Sequence, residues 1–116
     1  MKIADGKAKA GDTVWTILYT TSKGWIHPKL VKVKIESLDK LSSVVTPLSK
    51  EDKNFLWQYG KDSVAIYDYA LMAFNKINLI QTLENLCKKA LNDLAKQMSF
   101  FFNEMTKCRE ILDENA

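Results

Sequence analysis

His27 is the single imidazole of the chain, and imidazole is the side chain whose ordinary pKa lies nearest neutrality. To act as a general base it needs a nucleophile and an orienting acid. No sequence pattern supplies either, and Pro28 marks His27 as a turn or strand-entry residue. The two thiols, Cys87 and Cys108, lie 21 residues apart and far from the histidine, which argues against a Cys–His nucleophile pair and against a His/Cys zinc motif. Gly6, Gly11, Gly24 and Gly60 are scattered, so no G-x-G-x-x-G or Walker loop cradles a phosphate. Asp39, Glu51, Asp52 and Asp62 show neither EF-hand nor paired-carboxylate spacing and read as solvated turn acids. The expectation is a non-enzyme, with no catalytic residue, no metal ligand and no cofactor.

Binding chemistry is better represented. Trp15, Tyr19, Trp25, Trp57, Tyr59, Tyr67 and Tyr69 all precede residue 70. They either fill a small barrel or offer rings on which bases or peptides stack. Trp25, beside a loop glycine, is the ring expected to be exposed. Lys23, Lys29, Lys32 and Lys34 are expected on one outer strand face near Trp25 and Tyr19. The expected partner-binding set is therefore Tyr19, Trp25, Lys29, Lys32 and Lys34. Basic residues interleaved with aromatics suit single-stranded nucleic acid or RNA. They equally suit a solvated face whose lysines prevent edge-to-edge pairing. The net charge of +3 is mild, and Arg109 is the only arginine among 17 basic residues. That bias weakens a sequence-specific DNA reading, which favours bidentate arginine.

These residues need a frame, and the hydrophobic pattern supplies one. Thr13–Thr20 is rich in β-branched and aromatic residues after the turn signal Gly11-Asp12. Val31, Val33 and Ile35 alternate with Lys32, Lys34 and Glu36, which predicts a strand over Lys29–Leu38 with one buried face and one basic face. Val44–Pro47 and Ser63–Tyr69 read as further strands. Phe55, Trp57 and Tyr59 alternate and are read as a barrel wall ending at Gly60. The alternative is a short helix capped by Ser49, with Glu51 and Asp52 in its first turn. Residues 1–10 read as a loose lead-in.

From about Thr82 the period changes. Cys87, Leu91, Leu94, Met98, Phe101, Met105, Cys108 and Leu112 are spaced alternately by four and three, a heptad seam. The predicted helix, capped by Thr82 or by Asn78 with Gln81, is ~45–50 Å long at 1.5 Å per residue. It outruns a small barrel, so it projects or folds back. Phe100, Phe101 and Phe102 add apolar surface on more than one side, which favours burial against a second chain. Leu91, Leu94, Met98, Phe101, Met105 and Leu112 are the expected dimerisation residues. The two cysteines, on the same seam, read as buried reduced thiols.

Residues 1–50 hold nine lysines against four acids, whereas residues 77–116 hold five basic and six acidic side chains. The positive excess thus belongs to the β-rich part. The chain divides into a small barrel-like domain over 1–81 and a long amphipathic helix over 82–116. Met1–Gly11 carries three lysines and no apolar run, and no apolar stretch approaches ~18 residues. No secretion leader, no membrane span and a cytoplasmic location are expected.

Gly11-Asp12-Thr13-Val14-Trp15 resembles the first strand of Src-homology-3-like small β-barrels. Similar openings occur in many small proteins of bacteriophages and prophages. Several of those end with a short strand, a capping threonine and an acidic first helical turn. Ile80-Gln81-Thr82-Leu83-Glu84-Asn85-Leu86 looks like that junction, with Asn85 where a second acid is the pattern. The resemblance covers residues 11–38 and 80–90. It implies a phage or mobile-element accessory protein that binds a host protein or nucleoprotein complex, including inhibitors of the anti-CRISPR kind.

The expected fold class is α+β, a five-stranded antiparallel barrel-like domain followed by one long helix. The expected function is a non-catalytic, homodimeric protein-interaction module. The alternatives are a nucleic-acid-binding module and a small-ligand sponge with a pocket at the barrel mouth or helix seam.

Overall fold

The computed structural model describes residues 2–22, 25–57 and 60–115, the side chains of 19–22 and 25–27 excepted. The chain opens with a two-stranded hairpin, β1 (Lys2–Ile3) and β2 (Gly6–Lys7). Next come β3 (Thr13–Ser22), β4 (Trp25–Leu38), β5 (Ser43–Pro47), helix α1 (Lys50–Trp57) and β6 (Val64–Ile66). A 3-10 turn, Tyr69–Leu71, leads into β7 (Met72–Ala73). A second, Lys76–Leu79, runs into the C-terminal helix α2 (Ile80–Glu114). The antiparallel order β6-β5-β4-β3-β7 forms one curled five-stranded sheet, a half-barrel. The α+β class, the antiparallel β-part and the long terminal helix agree with the sequence expectation.

Register on β3 and β4 creates two buried layers. Val14 stands opposite Val33 and Thr16 opposite Val31, all buried on the inner face. Val14, Val31 and Val33 pack with Ile35, Val45, Leu56, Ile66 and Met72 as the main core. The alternate positions, with Trp15 opposite Lys32 and Ile17 opposite Leu30, face the other way because side chains switch face at every residue. There Ile17, Leu71, Ala73 and Leu79 form a second buried cluster, covered by Leu83 and Leu86 of α2. The Thr16 hydroxyl donates to the Leu71 carbonyl at 2.9 Å across the junction of the two layers.

Several local expectations are corrected. Residues 1–10 are no loose lead-in, because Ile3 and Ala8 are buried in the main core. The stretch after Ser49 is helix α1, not an aromatic strand. The Ser49 hydroxyl accepts the Asp52 backbone N–H at 3.1 Å and donates to the Asp52 carboxylate at 2.8 Å, a side-chain cap that favours the helix at its first turn. Gly60, at φ +70°, takes the left-handed conformation beyond the helix end, which glycine adopts at no steric cost. The fifth strand is instead Met72–Ala73, paired with Trp15 and Thr16.

Neither Thr82 nor Asn78 caps α2. The helical run is launched by Asn75, whose side chain accepts the Ile77 N–H at 3.1 Å, and α2 follows the 3-10 turn without a side-chain cap of its own.

Candidate functional site

The expected lysine face divides between the two sides of the sheet. Lys32 and Lys34 are exposed on the outer face. Lys32 Nζ lies 5.8 Å from the centroid of Trp15, and Lys76 Nζ, from the turn before α2, lies 5.2 Å from the same ring. Trp15 is half-buried between these two cations, each placed to be attracted by the electron-rich ring face.

Lys29 is not part of that face. It lies three positions from Lys32 and five from Lys34, both odd offsets along a strand, so it shares the inner side with Leu18, its partner in register. There its Nζ lies 3.0 Å from Asp52 Oδ1, 4.0 Å from Glu51 Oε1 and 4.9 Å from the centroid of Phe55. Lys29 thus ties α1 to the sheet. In the β3–β4 hairpin Tyr19 stands opposite Pro28 and Trp25 opposite Ser22, but the side chains of Tyr19, Trp25 and His27 lie outside the described residues, as does Lys23 altogether.

The second surface belongs to α2, none of whose residues is buried. Thr82, Leu83, Leu86, Ala90, Leu94 and Gln97 are its half-buried positions along the part that meets the sheet. At 3.6 residues per turn, the seam of Cys87, Leu91 and Met98 is rotated roughly 70° from that line. Leu91, Met98, Phe101, Met105 and Leu112 keep 50–65% of their surface exposed, the last three because they lie beyond the part of the helix that meets the sheet. Leu94 alone of the expected dimerisation residues is half-buried.

Cys87 and Cys108 are both exposed free thiols, which corrects the expectation of buried ones. The helix does not fold back. It is one unbroken run of 35 residues, and at ~52 Å it accounts for most of the 68 Å long axis of a molecule otherwise 28 × 25 Å across.

The perturbed titrating groups hold the fold together. Desolvation pushes the Asp5 carboxyl up, but the backbone N–H groups of Asn75 and Phe74 and the Asn78 amide together outweigh it and lower its pKa. The backbone N–H groups of Ser42 and Leu41 lower the Asp39 carboxyl in the β4–β5 turn. Desolvation, with the Asp39 charge, raises the Tyr69 phenol, which donates to the Asp39 carbonyl. Among the described residues, no three His, Cys, Asp or Glu side chains gather as metal ligands. No described helix is long and apolar enough to cross a membrane.

Sequence reasoning missed Lys76 on Trp15, and it missed that Leu83 and Leu86 belong to the sheet rather than to the seam. The spacing of Leu83, Cys87 and Leu91 carried that signal, since two consecutive steps of four interrupt the heptad and shift the apolar face.

An α+β half-barrel bearing a projecting, half-apolar helix is the class of protein these features define. No family model, no curated protein and no solved structure matches the chain.

Proposed function

We propose that this protein is a non-catalytic interaction module that associates with a second copy of itself through α2. The observation that carries the reading is the 50–65% exposure of Leu91, Met98, Phe101, Met105 and Leu112 along α2, the last three on its projecting part. Full burial of such a side chain is worth roughly 1.5–3 kcal/mol, free energy that one chain by itself leaves unrealised. Apolar surface of this extent marks an interaction site. Light scattering on the full chain tests the reading. The expected mass at tens of micromolar is twice the 13.3 kDa of one chain, with Phe101→Glu shifting it to the monomer. A monomer mass for the unaltered protein counts against association.

A second reading is favoured by a separate observation, the placing of Lys32 and Lys76 around Trp15 with Lys34 on the same face. It makes the outer face of β3–β4 a contact for single-stranded nucleic acid. Titration with a single-stranded oligonucleotide at two salt concentrations tests it. Binding that weakens with salt and with Lys32→Glu supports the reading, and no binding at low salt removes it.

The resemblance over residues 11–38 and 80–90 adds a narrower reading, a phage-encoded inhibitor acting on a host defence complex in the cytoplasm. Expression in a defended bacterial host then restores plaque formation by a restricted phage. Unchanged plaque counts oppose it.

A further inference from the structure

Resting on the association reading above, we propose that two copies pair through α2 in parallel and in register from Leu91 to Leu112. Glu104 of each copy then faces Arg109 of the other, and Cys108 faces Cys108 of the second copy.

Leu94 is half-buried toward the sheet, but Leu91, Met98, Phe101, Met105, Cys108 and Leu112 are exposed, so the seam stays free over most of its length. Leu91, Met98, Met105 and Leu112 recur at intervals of seven. Leu94, Phe101 and Cys108 do the same three residues later. This is the alternation by which two helices interlock knobs into holes. Glu84, one heptad before Leu91, would face its own copy across a parallel seam, so pairing begins after it. Phe101 would meet Phe101 of the second copy between layers of Met98 and Met105, whose flexible thioethers suit packing against ring edges.

Charge on the flanks selects the orientation. In a parallel pair, a residue on one flank faces the residue five positions further along the other helix, and such pairs set partner direction. Glu104 and Arg109 have that spacing and opposite charge. Gln97 and Phe102, and Ala90 and Ala95, fill the corresponding positions without repulsion. An antiparallel pair with full overlap sets Lys88 against Arg109 of the second copy. A shorter antiparallel overlap, centred on Asn103 with Phe101 against Met105, brings Glu104 beside Glu104. Like charges so placed are destabilising. In the single chain, Glu104 and Arg109 make only exposed contacts within the helix, to Lys107 at 3.1 Å and Asp113 at 3.6 Å. Such pairs are worth little and exchange at small cost.

The full-length chain carrying Cys87→Ser, which leaves Cys108 as its one thiol, tests the orientation with a short bis-maleimide. Each Cys108 thiol adds across one maleimide double bond. The expected product is a covalent dimer on a denaturing gel. Glu104→Arg is expected to weaken the dimer roughly tenfold, since symmetry repeats the lost pair twice. Adding Arg109→Glu to that variant is expected to restore affinity to within about twofold. A dimer mass with no Cys108 cross-link, or with cross-linking that requires Cys87, overturns the parallel arrangement and leaves association standing. Failure of the double variant to recover overturns the Glu104–Arg109 pairing. A monomer mass at every concentration overturns both readings.

Discussion

Asp5 and Asn75 stand 70 positions apart, and the Asp5 carboxylate accepts the Asn75 backbone N–H at 2.9 Å. The same carboxylate accepts from the Phe74 N–H and from the Asn78 side-chain amide, each at 2.8 Å. Asn75 in turn caps the 3-10 turn that launches α2. One acidic side chain in the first hairpin therefore holds the point at which the helix leaves the sheet.

Replacing Asp5 should loosen that point in a pH-dependent way. Its folded pKa is lowered, so its stabilisation is fully present above the unfolded value near 3.9 and is lost as pH falls through the folded value. Asp5→Asn is expected to cost about 1 kcal/mol at pH 7, below the usual range for charged hydrogen bonds because the site is open to water. Urea unfolding at pH 7 and at steps below pH 4 checks this. The gap between the two proteins should close as the solution becomes more acidic, and a gap independent of pH would contradict the assignment.

Leu79 is fully buried where the 3-10 turn meets α2. Leu79→Ala is expected to cost about 2–5 kcal/mol through lost burial and the cavity left behind. Lys96, exposed on α2 and outside both the sheet-facing line and the seam, should change by less than about 0.5 kcal/mol on replacement by alanine. Thermal melts of the two variants compare them directly.

Thr16 is fully buried and donates to the Leu71 carbonyl. Thr16→Val keeps the shape of the side chain and removes the donor, which leaves that carbonyl short of a partner at a cost of about 1–3 kcal/mol. A fall in the urea midpoint with an unchanged slope is the expected signature.

Ser49→Ala removes the cap of α1 and is expected to cost about 1 kcal/mol. The effect should be local. Amide exchange should speed up at residues 52–55 while β3 and β4 stay protected, and uniform acceleration across the sheet would show that α1 is coupled to the whole fold.

Much of this architecture was legible in the sequence, and the reason is periodicity. The alternation from Val31 to Glu36 specifies a strand with one wet face, whatever it pairs with. The three-and-four spacing from Cys87 to Leu112 likewise specifies a helix with an apolar stripe. Those patterns also carried the fold class and the candidate seam. What they could not carry was which surface each stripe meets. The aromatic alternation at Phe55 and Trp57 suggested a strand, but the Ser49–Asp52 cap and the pull of Lys29 on Asp52 place both residues in a helix. Lys29, Lys32 and Lys34 were grouped by proximity in sequence, although strand parity sends Lys29 to the opposite face. Only the tertiary structure decided that Leu83 and Leu86 cover Ile17 and Leu79, leaving all of the seam but Leu94 exposed. It alone also decided that Asp5 reaches Asn75. Periodicity is a property of one segment and can be read along the chain, whereas partners are chosen across distances that the order of residues does not encode.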